Sequence, residues 1–293
     1  MEEVASCPLC GHSHRKIFDQ RTFREQRVVN QLCTNCGFVY QSPRMTEAEL
    51  SEFYEAEYRT LYQGDEGPSR KDLVVQAGRA ESLIGILETN GVQPARALDI
   101  GSSAGTLLLR IKDRYDAVVA GIEPGAAYRA YAENQAITIY SSLEDMAGFR
   151  ELPFDLITMA HVLEHLPDPA GYLANLRENH LAPGGSLLVE VPNLYAHDSF
   201  EIAHLGAYSK HTLQEMLRKA GYSVLDLKAH GQPRSVVLPL YLAALARPMN
   251  RPPGPETYTP RPESGVPRKR RWGLRRRRFL ERLFPDLAWL ATP

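Results

Sequence analysis

From about Arg96 the sequence alternates strand-like and helix-like segments, which predicts an α/β fold with a doubly wound, Rossmann-like, mostly parallel sheet. Two further observations complete the outline. Two C-x2-C pairs near the start predict a small zinc ribbon ahead of the sheet domain. A Pro-rich stretch followed by an arginine-rich amphipathic segment predicts a tail behind it. The expected division is 1–42 for the ribbon, 43–95 for a helical connector or lid, 96–246 for the sheet domain, and 247–293 for linker and tail.

All four cysteines fall in the first 36 residues, Cys7 and Cys10 in CPLCG and Cys33 and Cys36 in CTNCG. Two such pairs suit one tetrahedral zinc, with Gly11 and Gly37 allowing each turn to aim its sulfurs at a single ion. A closed four-thiolate site leaves no place for water, so this zinc holds the fold and does no chemistry. Redox or free thiols are the alternative, but a thioredoxin-like reading explains one pair and not two. The intervening IFDQRTFREQRVVNQL reads as short strands. In the connector, Thr46 and Glu49 form a capping box for a helix. Tyr54, Tyr58 and Tyr62 fall at i, i+4 and i+8 and either pack on the next domain or form a lid over a substrate site.

In the alternating region, ARALDI is a strand, TLLLRIKDRY a helix, AVVAGIE a strand, AAYRAYAENQ a helix and ITIYSS a strand. FDLITMA, PAGYLANLRENHL, GSLLVEVPN, HTLQEMLRKAG and YSVLDLKAHG continue the series, with the last read as the final strand. Ligands of such sheets bind beyond the carboxyl ends of the strands. ALDIGSSAGTLLLR therefore lies in the crevice. Its glycines, Gly101 and Gly105, lack the G-x-G-x-x-G spacing of a pyrophosphate turn. The carboxylate of Asp99 suits a cationic ligand, and S-adenosylmethionine is one. Glu123 ends the second strand, where an acid accepts from ribose hydroxyls, and Glu144 or Asp145, after the third, is placed to accept from an adenine amino group.

LDIGSSAG, GIEPG, SSLED, FDLITMAHVLEHLPDP and LAPGGSLLVEVPN, in this order between Ala97 and Gly221, resemble the class I S-adenosylmethionine-dependent methyltransferases. That family usually has another glycine where Ser103 stands. The resemblance implies that Asp99, Gly101 and Gly105, with Ser102 inside the turn, hold the methionine part. It further implies Glu123 on the ribose, Glu144 or Asp145 near the adenine, and Ala160 and His161 beside the transferable methyl.

HVLEH also matches the H-x-x-E-H signature of inverted zinc proteases. Here it follows a strand directly and is stopped by PDP, so it occupies a short turn and not a helix, and the protease reading falls. Methyl transfer to a hydroxyl or carbon needs a base, and His suits neutral pH. EIAHLGAYSKHTLQEMLRKAGYSV resembles the E-H-L-x-Y-F-S stretch of bacterial sugar C-methyltransferases, which also carry an N-terminal four-cysteine zinc domain; their G-G-S-L-R stretch has no counterpart here. The resemblance marks His204 and Tyr208 as acceptor-site residues, His204 as general base, with His165 a second candidate.

Hydrophobic content is 43% and charged content 24%, as in ordinary globular proteins. The net charge of −1 hides a basic segment, Arg268–Arg282, which carries +8 and leaves the rest at −9. An acidic body makes nucleic acid an unexpected partner. MEEVASC does not read as a signal peptide, and no apolar run reaches the roughly 20 residues of a membrane span, so a cytoplasmic protein is expected. Trp272, Phe279, Leu280, Leu283 and Phe284 share a helical face among arginines, which suits a membrane surface over 268–284, peripheral at the inner membrane face; a solvated tail and RNA binding are the alternatives. The leading function is methyl transfer from S-adenosylmethionine to a sugar, glycan or related small-molecule acceptor. An rRNA or tRNA methyltransferase with a zinc module, and a non-catalytic cofactor-binding scaffold, are the alternatives.

Overall fold

The computed structural model describes residues 1–53, 67–146, 153–198, 200–254 and 258–290. The tyrosine stripe of Tyr54, Tyr58 and Tyr62 lies outside the described residues. Strands β1 (Arg15–Phe23), β2 (Gln26–Cys33) and β3 (Val39–Gln41) form an antiparallel ribbon. The stretch read as short strands is thus one long hairpin, its turn made by Arg24 and Glu25 in the left-handed region.

The main sheet contains β4 (Arg96–Ile100), β5 (Val118–Ile122), β6 (Thr138–Tyr140), β7 (Phe154–Ala160) and β8 (Leu181–Pro192), all parallel. A two-residue strand β9 (Gly206–Ala207) then leaves the sheet domain and pairs with β3, as the fourth strand of the ribbon sheet. Strands β10 (Tyr222–His230) and β11 (Tyr241–Pro248) return to the main sheet, whose order is β10-β11-β8-β7-β4-β5-β6.

β11 corrects the sequence reading, which took β10 as the last strand. It is antiparallel and sits between β8 and β10, so Tyr241 to Ala246 are buried on both faces. Such a strand reads as one apolar run without alternation, which periodicity cannot assign. It also carries the sheet domain past residue 246, to Pro248.

Alternate strand residues face opposite layers, as the two-residue repeat of a strand requires. Leu98, Ile157, Leu187 and Leu242 pack against Leu173 and Leu176 of helix Pro169–Asn179 and Leu213 and Met216 of helix Lys210–Lys219. Ala97, Leu156, Leu188 and Ala243 pack instead against Leu83 and Leu87 of helix Arg70–Thr89 and Leu108 and Ile111 of helix Thr106–Tyr115. The first of these clusters also contains Cys7, Leu9, Phe38 and Tyr40, so the ribbon shares the core of the sheet domain.

Two segments expected as peripheral are integrated. Helix Arg70–Thr89, capped by Ser69 and Asp72, packs on the sheet and is not a free connector. The Pro-rich segment, expected not to pack, is anchored at defined points. Tyr258 Oη donates to Glu215 Oε2 at 2.7 Å, and the Glu263 N–H donates to the Cys36 carbonyl at 3.0 Å. The Glu263 carboxylate takes the Tyr195 hydroxyl at 2.7 Å and Lys269 Nζ at 2.9 Å. Composition marks prolines as poor packers, but a few polar anchors on a pre-extended chain suffice to seat it. Helix Val266–Leu283 follows. Among the described residues no helix is long and apolar enough to cross a membrane.

Candidate functional site

A cavity of about 740 Å3 opens over the carboxyl ends of the parallel strands. Its floor is the turn between β4 and helix Thr106–Tyr115. The N–H groups of Gly101 and Ser102 both donate to the Ile122 carbonyl, at 2.8 and 2.9 Å, which ties the turn to the end of β5. Gly101 has φ +72°, and a Cβ there would meet Val162 Cγ2 at 2.4 Å, so no larger residue fits. Ser103 also lies in the left-handed region, at φ 51°. This conformation explains why the resembled family favours glycine at that place. Gln76 Nε2 donates to Ser103 Oγ at 3.2 Å, and the Ser103 N–H donates to Glu123 Oε2 at 2.9 Å.

Two buried acids face this end. Asp99, at the end of β4, accepts from Thr158 Oγ1 at 2.6 Å, and burial pushes its pKa up to about 7 despite that bond, with Glu123 adding to the rise. A carboxylate held there without a cation is unfavourable, and a cationic ligand would reverse the balance. Glu123 ends β5 and spends one oxygen on Ser103 and the other on the Gly125 N–H at 2.8 Å, fixing it at the rim.

Ala160 and His161 end β7 and continue the wall. His161 has φ 58°, a strained value for a non-glycine residue. Its ring spans two buried carboxylates, Nε2 at 3.0 Å from Glu190 Oε1 and Nδ1 at 3.3 Å from Glu164 Oε1. Burial and Arg79 pull its pKa down, but the two acids prevail and leave it above the ordinary histidine value. Glu190 in turn lies 2.7 Å from Arg79 and 3.0 Å from His230.

The lining also includes His165, His197, His204, Arg234 and Tyr241, with the Tyr241 ring against that of His161 at 5.0 Å. His165 ends a single 3-10 turn, Leu163–His165, so HVLEH does sit on a short turn. Its Nδ1 is fixed on the Ala203 carbonyl at 2.9 Å, and its ring meets that of His204 edge to face at 4.7 Å. Burial, with His204 beside it, lowers the His165 pKa to about 4, so it is neutral at pH 7. Burial would raise Glu164, but His161, His165 and His204 outweigh it and hold its pKa at about 2. Ligand atoms of Glu164, His165 and His204 all lie within 4.8 Å of one another, a spacing a divalent cation can bridge.

The fold thus brings Asp99, Gly101, Ser102, Glu123, Ala160, His161, His165 and His204 to one cavity. It leaves four expected site residues off the lining. Gly105 lies behind the turn, its N–H on the Ser102 carbonyl at 2.9 Å and its Cα facing Ala132. Glu144 and Asp145 are exposed, with Asp145 bonded to Ser141. Tyr208 is a core residue. It is 0% exposed, packs with its ring tilted against Phe38 at 5.3 Å between centroids, and donates to the Leu163 carbonyl at 3.4 Å. A short β9 turns the chain so that His204 faces the cavity while Tyr208 faces the ribbon. Sequence reading missed Gln76, Arg79, Glu164, Glu190 and Tyr241 as site residues. Only Glu164 carried a signal, the H-x-x-E-H motif set aside as a protease decoy.

Where the ribbon joins the shared core, the four cysteine sulfurs lie within 4.8 Å of one another, with Cys7 and Cys36 at 3.6 Å and Cys10 and Cys33 at 3.5 Å. Sulfurs bound tetrahedrally at the usual zinc–sulfur distance are about 3.8 Å apart, so the set fits the ion. The turns are those the sequence predicts, with the N–H of Gly11 on the Cys7 carbonyl and that of Gly37 on the Cys33 carbonyl.

Residues 76–227 match the profile of a family described as "Methyltransferase domain". The chain is 30% identical over 208 residues to the ubiquinone biosynthesis O-methyltransferase of Cereibacter sphaeroides, spanning 62% of this chain and 82% of that protein. It is 29% identical over 170 residues to the trans-aconitate 2-methyltransferase of Deinococcus radiodurans, spanning 50% of this chain and 64% of that protein. Among solved structures, the 1,6-didemethyltoxoflavin-N1-methyltransferase of Burkholderia thailandensis, with S-adenosylhomocysteine bound, superposes with a TM-score of 0.56 at 16% identity, over 79% of this chain and all of that one. The chain therefore belongs to the methyltransferase-domain family and is an S-adenosylmethionine-dependent methyltransferase of the class I, Rossmann-like fold.

Proposed function

We propose that this enzyme methylates a hydroxyl oxygen of a small-molecule acceptor, with His204 as the general base. The observation that carries this reading is the placement of His204 in the cavity wall, backed by His165 and by the buried carboxylate of Glu164. S-adenosylmethionine supplies the methyl group. Asp99 would take its ammonium, the Gly101–Ser102 turn would line its methionine part, and Glu123 would accept from its ribose. His161, clamped between Glu164 and Glu190, shapes the wall and takes no proton from the acceptor. When bound, the cofactor would offer the acceptor oxygen an electrophilic methyl with the sulfide as leaving group, and His204 would take the hydroxyl proton. Glu164 stabilises the resulting imidazolium. The curated relative named as an O-methyltransferase supports oxygen as the accepting atom. A sugar or glycan hydroxyl remains the finer proposal, resting on the resemblance around His204.

The cysteine cluster is proposed to hold structural zinc, whose task here is to brace the acceptor loop. The Gln41 N–H donates to the Leu205 carbonyl at 2.9 Å and Gln41 Nε2 to the Glu201 carbonyl at 3.2 Å, either side of His204. Action in the cytoplasm at a membrane face belongs to the same reading. A methyl-transfer screen with radiolabelled S-adenosylmethionine against nucleotide sugars, lipid-linked glycans, phenols and RNA tests it. Label in a hydroxyl compound that is lost in His204→Ala supports the proposal. Label in RNA, or unchanged turnover in that variant, defeats it. Because Glu164, His165 and His204 can also hold a cation, the assay is run with and without added divalent metal; a strict metal requirement would remove His204 as the general base.

A further inference from the structure

Helix Val266–Leu283 has two faces. The inner one is bolted to the body: Val266 is buried, Arg270 bonds the Leu194 carbonyl and the Asp198 carboxylate, and Arg277 donates to the Ala196 carbonyl at 3.0 Å. These bonds grip the segment that carries His197 of the cavity wall. The outer face carries Trp272, Phe279 and Leu283, which stand 69%, 60% and 54% exposed on one stripe at i, i+7 and i+11. Arg268, Arg271, Arg275, Arg276, Arg278 and Arg282 are exposed around that stripe and hold no ion pair among the described residues.

A second group of exposed apolar side chains lies beside the cavity rim. The Val236 N–H donates to the Leu287 carbonyl and the Leu290 N–H to the Arg234 carbonyl, both at 2.9 Å. Val236, Leu287 and Trp289 are exposed there, at 56%, 43% and 42%, beside Arg234 of the cavity rim. Large apolar side chains aligned between arginines fit the boundary between acyl chains and anionic headgroups. Single-stranded nucleic acid would stack bases on Trp272 and Phe279 but would leave the exposed aliphatic Leu283, Val236 and Leu287 without a purpose.

We propose that this ridge docks the enzyme on anionic membranes and sets the Arg234 rim of the cavity in the headgroup layer. The acceptor is then an amphiphile, loaded from the bilayer with its hydroxyl-bearing head inward; this second part rests on the hydroxyl transfer proposed above.

Of the chain's two tryptophans, Trp272 stands on the stripe and Trp289, held by Glu281 and Arg277, stands exposed beside the Arg234 rim, so intrinsic fluorescence reports docking without any turnover. The full chain is floated with phosphatidylcholine vesicles, with and without phosphatidylglycerol. Docking predicts flotation with the anionic vesicles, a blue shift, and quenching by brominated acyl chains. Replacing Trp272, Phe279 and Leu283 together by Ala lowers the bound fraction at least about tenfold. Replacing Arg275, Arg276 and Arg278 by Glu removes the preference for anionic lipid, and both variants keep S-adenosylmethionine binding. Absence of flotation at low salt overturns the proposal. So does binding that the Ala variant leaves intact without a fluorescence change, as a polyanion-binding or RNA-binding tail would give. If docking holds, a long-chain hydroxyl acceptor has a lower KM than its short-chain analogue, and the Ala variant erases that difference without changing kcat on the short one. Equal KM values overturn the loading step alone. A failure of the hydroxyl reaction would show as no turnover of either acceptor, with flotation unaffected.

Discussion

The two ends of the cavity are built in different ways. The proposed cofactor end is made from the ends of parallel strands: Asp99 to Ser103 in one turn, Glu123 after the next strand, and Ala160 and His161 after a third. Its geometry follows from the parallel sheet, since each strand delivers its last residues to the same edge. The proposed acceptor end is composite. His204 hangs on a loop held by the ribbon through β9, Tyr241 starts an antiparallel strand, and Arg234 is tied to the chain end near Leu290. Its donors and acids come from segments far apart in sequence. The sheet thus carries the proposed cofactor end, with Gln76 of helix Arg70–Thr89 bonded to its turn, whereas the proposed acceptor end depends on two appendages and can change with them.

The largest effect that would break this comparison is on His204. Replacing it by Ala should lower kcat by about 10²- to 10⁴-fold, with S-adenosylmethionine affinity kept within about twofold, as seen in single-turnover rates and calorimetric titration. A parallel loss of cofactor affinity would show that the two ends are not separable.

Next in size is the ribbon. Cys33→Ser should cut kcat by about tenfold or more through displacement of the His204 loop, while cofactor affinity falls much less. Equal losses in both would mean that the ribbon serves only global stability.

The cofactor end is probed by pH. The Asp99 pKa of about 7 lies above the value of 3.8 for an unperturbed group, so between these limits the folded chain binds a proton that the unfolded chain has lost. Stability of the unliganded protein should therefore fall as pH rises from about 4 to about 7, by up to ~1.4 kcal/mol per pH unit. A cationic cofactor needs the ionised acid, so its affinity should weaken by up to about tenfold for each unit below pH 7. Asp99→Asn should flatten both profiles in calorimetric and fluorescence titrations, and unchanged slopes would place the titrating group elsewhere.

The smallest effect separates the sequence expectation from the fold at Tyr208. Tyr208→Phe should leave kcat within about twofold and cost about 1 kcal/mol of stability in denaturant unfolding, the contribution of one buried hydrogen bond. A hundredfold loss of kcat would restore Tyr208 to the acceptor site.

What the sequence determined by itself was whatever is written locally. The strand–helix alternation, the turn at Gly101, the acids at strand ends, the two cysteine knuckles and the capping box at Thr46 each occupy a few adjacent residues. Their spacing is enough because backbone geometry and ligand distances act over that range. Tertiary structure alone decided what joins distant segments. Tyr208, four residues from His204, turned into the core because β9 pairs with the ribbon, and burial decides a side chain's role over its neighbours in sequence. β11 was hidden because a strand covered on both faces has no polar side to mark its period. Glu164 became a buried partner of three histidines, and the arginine helix acquired a bound face and a free one, only when the chain closed around them.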